Sequence, residues 1–171
     1  MWPMTTHQAV LLNIIFAIMR DAHQDILERC RALLDAVTTT CKTGGLFSYD
    51  NMRAQIDPAD SVLFGCTYIE ELKRLALAIF KLNLHFDTGM LSLSDLAFPL
   101  PDSGYLFDAP ESKEFYRRYN VQVECGTCPG SKPPICELVK AVQEGRKGSG
   151  FLFHIDPWLS FVVSQYVQSG V

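Results

Sequence analysis

Residues 70–101, EELKRLALAIFKLNLHFDTGMLSLSDLAFPLP, join an apolar helical pattern to a Ser-rich link and a Pro-Leu-Pro exit, and no other stretch constrains the fold as tightly. Thr67 with Glu70 fits a capping box, which satisfies two orphan backbone donors reciprocally, and so predicts a helix over about 68–86. Ile69, Leu72, Ala76, Ile79, Asn83 and Phe86 form its core stripe. Leu75, Leu77, Phe80, Leu82 and Leu84 carry apolar surface beyond that stripe, which predicts a central helix and not a surface one. Pro99 and Pro101 forbid helix at the exit, because each lacks a backbone donor and restricts the residue before it; an extended surface crossing follows.

Other helices flank this one. Thr5 with Gln8 fits a second capping box, opening a helix whose stripe is Leu11, Ile14, Ile15, Ile18 and Met19. Val10, Leu12 and Phe16 cover the other side, so deep packing is expected. A second helix, about 23–41, buries Ile26, Leu27, Cys30, Leu33, Leu34 and Val37. Asp25–Arg29 and Arg31–Asp35 are its i,i+4 pairs. Gly44-Gly45 ends it, with Leu46-Phe47 folding back on the last turn. Residues 48–65 are less regular, with Asp57-Pro58 opening a turn of helix.

Beyond the exit, Asp108-Ala109-Pro110 starts a short helix to about Tyr119, with Phe115 and Tyr119 inward. A Gly/Pro loop over 124–134 leads to a helix over 135–143. Gly148-Ser149-Gly150 reads as a linker, and Asp156-Pro157 opens a last helix with Trp158, Leu159, Val162, Val163 and Tyr166 on one face. No stretch alternates as a half-buried strand does, so the fold class is all-α: a multi-helix domain with irregular Pro/Gly-rich connections.

The 171 residues suit one domain, and 48% hydrophobic with 20% charged can bury a sizeable core. A formal charge of -4 with Lys and Arg scattered disfavours direct nucleic-acid binding. The apolar stretch 9–19 has no positive residues before it, is interrupted by Asn13 and is too short to span a bilayer, so a core helix is favoured over a signal sequence and no membrane role is expected. Six cysteines, at 30, 41, 66, 125, 128 and 136, fit a reduced compartment better than a disulfide framework, since several fall singly in helical patterns.

The segment Gln8-Ala-Val-Leu-Leu-Asn-Ile-Ile-Phe-Ala-Ile18 is similar to Q-x-L-L-L-x-I-F, and Ala32-Leu33-Leu34 through Gly45-Leu46-Phe47 to R-x-L-x-x-L-V…G-L-F. Arg74-Leu-Ala-Leu-Ala-Ile-Phe-Lys-Leu-Asn83 resembles R-x-A-W-x-x-F-x-L-D. Leu93-Ser94-Asp95…Pro99-Leu100-Pro101 resembles L-S-x-x-D/E-x-x-x-P-L-P, and Phe107-Asp108-Ala109-Pro110 stands where L-W/F-x-A does. In this order the segments resemble the regulatory, or middle homology, region of fungal zinc-finger and zinc-cluster transcription factors, similar to the xylanolytic-activator type. The resemblance spans 1–123, with 124–171 as a continuation or truncated end. Thr88-Gly89-Met90 departs from the family's Arg-Pro-Pro.

The resemblance implies a nuclear regulator of RNA polymerase II transcription. Its partners would be other protein segments or subunits of the transcription machinery, with a possible small-molecule effector. DNA would be reached only through a zinc-binding module that this chain lacks, and zinc is expected only in that module. No catalytic, cofactor or metal residue is assigned, and no enzymatic activity is expected.

Four lesser constellations were weighed. Cys125-x2-Cys128-x7-Cys136 looks like half a six-cysteine zinc cluster, but the fourth ligand is absent nearby, His154 being the one downstream candidate, so free thiols in a loop are the preferred reading. His85 and Asp87 stand at a helix end, where a His serves the last carbonyls. Cys66, before the Thr67 cap, could be a redox thiol but is read as packing. Phe16, Met19, Phe80, Phe86 and Met90 could line an effector pocket or simply be core. The alternative function is a stand-alone small-molecule-binding or redox-sensing helical protein.

Overall fold

Apolar residues at helical spacing, broken by Gly and Pro, give six helices and no strand among the described residues of the computed structural model, 3–20, 23–101, 105–124 and 132–143. The all-α expectation holds. Contacts divide the chain into two units, Met1–Asp95 and Leu96–Val171.

In the first unit, α1 (Met4–Met19) packs on α2 (Gln24–Thr43) and on α4 (Val62–His85), α2 also packs on α4, and α3 (Tyr49–Arg53) lies against α4. The helix α4 is the core of the unit. Leu72, Leu75, Ala76, Leu77, Ile79, Phe80 and Leu82 on it are all buried, whereas Leu84 is exposed. Its start lies six residues before the expected one. Ser61 caps it by accepting from the Phe64 N–H at 3.2 Å. Thr67 and Glu70 are therefore mid-helix and form no capping box, because an earlier Ser already stands before the apolar run Val62-Leu63-Phe64.

The first helix differs more. It opens on extended Pro3 with no side-chain cap, so the Thr5–Gln8 box does not form; the Thr6 N–H and His7 N–H donate to the Pro3 carbonyl instead. His7, Leu11 and Ile14 are buried, yet Leu12 is 65% exposed, Phe16 55% and Met19 79%. Among the described residues the helices packed on α1 are α2 and α4, and a helix that is apolar all round buries one stripe against them.

On α2 the buried face is Cys30, Leu34, Val37, Thr38 and Cys41, with Ile26 and Leu33 exposed against expectation. Neither expected ion pair on this helix forms among the described residues. The run Thr38-Thr39-Thr40 stays helical because the hydroxyls of Thr39, Thr40 and Thr43 donate to carbonyls four residues back at 2.8–2.9 Å.

Gly44-Gly45 ends α2 as expected. Gly45 takes φ +76°, its N–H donates to the Lys42 carbonyl, and the Leu46 N–H reaches the Cys41 carbonyl at 2.9 Å. Leu46 and Phe47 fold back and are buried. The Asp57-Pro58 segment is a turn and not helix: the Ala59 N–H donates to Asp57 Oδ1 at 2.8 Å and the Asp57 N–H to Asp60 Oδ2 at 3.2 Å.

In the second unit, residues 96–101 run without helix as the prolines require, with Leu96, Phe98, Pro99, Leu100 and Pro101 buried. They meet α6 (Ile135–Gln143) through an antiparallel bridge between Pro99 and Pro134. The Ile135 N–H donates to the Phe98 carbonyl at 2.9 Å and the Cys136 N–H to the Leu96 carbonyl at 3.2 Å. The Pro-rich exit therefore satisfies orphan donors at the start of α6. The helix α5 (Ser112–Glu124) buries Phe115 and half-buries Tyr119, the rings stacking at 6.1 Å. The last expected helix and the Gly-Ser linker lie outside the described residues.

Candidate functional site

The polar groups that the core of the first unit cannot leave in water define its most organised site. Asn83, on the last turn of α4, is 3% exposed. Its amide donates to Thr38 Oγ1 on α2 at 2.9 Å and to the Ile79 carbonyl at 2.9 Å, and the Thr88 hydroxyl donates to Asn83 Oδ1. The Met90 N–H in turn donates to Thr88 Oγ1 at 3.3 Å. One buried amide thus joins α2, α4 and the link after α4. A buried polar group left unpaired costs about 1–3 kcal/mol, which makes this network specific as well as cohesive.

The link itself is held from outside by α2. Beyond His85 the Thr88 N–H donates to the Asn83 carbonyl at 3.1 Å and the Asp87 N–H to the Leu84 carbonyl at 3.2 Å, the same ending that Gly45 gives α2. Here the left-handed position, φ 48°, is filled by Asp87, and Arg31 donates to its carbonyl at 3.2 Å.

Lys42 donates to the Met90 carbonyl at 3.0 Å and pairs with Asp95 Oδ1 at 3.3 Å. Asp95 belongs to the 3-10 turn Leu93–Asp95, and its Oδ2 accepts from the Ser92 N–H and hydroxyl, each at 2.8 Å. Burial opposes ionisation of Asp95, but the Ser92 bonds and the Lys42 ammonium outweigh it and hold the carboxyl below its ordinary value.

A second polar element lies on α4. Lys73, 1% exposed, donates to Glu70 Oε1 at 2.6 Å and stands 5.6 Å from the centre of the Tyr49 ring on α3. An ammonium and carboxylate taken this far from water persist only when paired, so α3 is registered on α4 by charge as well as by the buried Met52. Sequence reasoning missed the pair, reading Glu70 as a cap; the i,i+3 spacing of Glu70 and Lys73 was its available signal.

Of the constellations weighed from sequence, His85 is exposed and meets Phe86 edge-on at 5.2 Å, while Asp87 uses its main chain. Cys66 is half-buried within α4 and not before its start. Cys136 is the second residue of α6 and half-buried; Cys125, Cys128 and His154 lie outside the described residues. Phe80 is buried and Phe86 and Met90 half-buried, but Phe16 and Met19 face outward, so these five residues do not line one internal pocket.

No family model, curated protein or solved structure matches the chain.

Proposed function

We propose that this chain is a regulatory domain of a fungal DNA-templated, RNA polymerase II transcription regulator, acting in the nucleus by helix packing against other protein segments. Contact with DNA belongs to a zinc-binding module outside this chain. The observation that supports the reading is where the residues of the resemblance fall. Asn83, at the final position of the R-x-A-W-x-x-F-x-L-D segment, is the centre of the α2–α4 network, and Asp95, in the L-S segment, is the residue that Lys42 holds. A motif made of structural joints suits a domain that works by arrangement of helices and not by bond chemistry.

The rival redox-sensing function gains nothing from Cys41: burial pushes its thiol up to about 11, which keeps it protonated at neutral pH. Reading the full-length transcript tests the proposal. An open reading frame that continues into a basic segment with paired cysteines is expected. A complete transcript lacking any such segment would favour a stand-alone helical protein.

A further inference from the structure

Five residues of α1 that the fold leaves exposed, Thr5, Ala9, Leu12, Phe16 and Met19, follow one another at spacings of four, three, four and three. That is the spacing of a helix-pairing seam, and it lies on the side of α1 away from the buried His7, Leu11 and Ile14. No Asp, Glu, Lys or Arg occurs within Met4–Met19, so a partner laid along the seam desolvates no ionised group of this helix. Arg20, just past the helix, stacks its guanidinium over Phe16 at 4.5 Å. Asn13, beside the seam, already spends its amide on the Ala9 carbonyl at 2.8 Å.

The seam also has a direction. Its side chains are small at the N-terminal end and large toward the C-terminal end. Laid antiparallel on a second copy of itself, with layers in coiled-coil register, Thr5 of one chain falls opposite Phe16 of the other and Ala9 opposite Leu12. Both of these layers pair a small side chain with a large one, as close packing requires, while Met19 extends past the start of the partner's helix at Met4. A parallel pair would instead stack Phe16 on Phe16 and Ala9 on Ala9, crowding one end and leaving a void at the other. Self-complementarity under a two-fold axis is the mark of an isologous interface.

We propose that α1 is the interface of an antiparallel homodimer of this chain. A seam on a helix about 24 Å long is smaller than the roughly 800 Å² per partner of a standard interface, so association lies at about micromolar affinity or weaker.

Sedimentation velocity over about 1–300 µM, a range set by that affinity, tests it. The wild-type chain is expected to move from monomer to dimer. Leu12→Glu and Ala9→Lys should each remain monomeric, with the melting temperature of the wild-type monomer at low concentration, because both positions are exposed. An equimolar mixture of the two variants should dimerise again, because this register sets the introduced charges against each other in one layer and leaves Ala9 against Leu12 in the other. A wild-type monomer throughout the range, a dimer unaffected by either substitution, or a mixture that stays monomeric would overturn the proposal. So would monomeric variants that melt below the wild type at a concentration where the wild type is itself monomeric, since the face would then be covered within the chain.

Discussion

Asn83 on α4 and Thr38 on α2 are joined by a 2.9 Å hydrogen bond across 45 residues of sequence, and both side chains are buried. The bond sets the rotation of α2 as well as its distance from α4. It puts Thr38 in the core and turns Leu33 outward to 48% exposure. Asn83→Leu should therefore destabilise the chain by about 1–3 kcal/mol, since the fully buried Thr38 loses a partner that water cannot replace and Thr88 loses the acceptor of its hydroxyl. Chemical denaturation of N83L, T38V and the double variant measures the coupling, expected at about 0.5–3 kcal/mol. Purely additive losses would mean the bond orients nothing.

The two helix ends make a matched pair. Asp87→Gly should stabilise the chain by about 0.5–1 kcal/mol, because Asp87 holds a left-handed conformation that glycine adopts without the Cβ penalty. Gly45→Ala should destabilise by more than about 1 kcal/mol, since φ is +76° and the new Cβ would lie 2.8 Å from Asn51 Cβ. Thermal melts of the two variants should shift in opposite directions; shifts of the same sign would remove the shared geometry as the explanation.

Replacing Lys73 with Met leaves the Glu70 carboxylate buried without its ammonium and should cost about 3–5 kcal/mol. The double change Glu70→Gln with Lys73→Met should recover most of that loss, because neither member of the pair is then ionised. Denaturant midpoints decide it. A double variant as unstable as Lys73→Met alone would show that the loss comes from packing.

On α5, hydrogen bonds from Arg117 and then Arg118 lower the Glu114 carboxyl from its ordinary 4.5 to about 2. Its folded value lies below its unfolded one, so its contribution is fully present above pH 4.5 and is lost as pH falls toward 2. The side-chain carboxyl carbon shift of Glu114 should titrate near the lower value, and Arg117→Gln should move the midpoint upward. A midpoint already near 4.5 in the wild type would contradict the paired geometry.

Much of the fold was legible because it rests on local rules. Gly45 announces the end of α2, Ile135 to Gln143 forms α6 as its apolar period requires, and Pro99 with Pro101 keeps residues 96–101 out of helix. Tertiary arrangement was less visible. Thr67 and Glu70 satisfy the pattern of a cap, but Ser61 captures the helix start upstream, freeing Glu70 to pair with Lys73. The apolar residues of α1 carry no mark of how many sides will find neighbours. Thr38 and Asn83 are ordinary polar residues until α2 and α4 bring together two positions 45 residues apart in sequence.

The proposed role of this helical unit is to regulate transcription through its folded surface. Joining the chain to a heterologous DNA-binding module in a fungal reporter strain tests that most directly. The account predicts reporter transcription different from that of the module alone, raised or lowered, and a return to the module's level when Asn83→Leu disturbs the α2–α4 lock. Transcription equal to that of the module alone, from a fusion that is folded and nuclear, would contradict it.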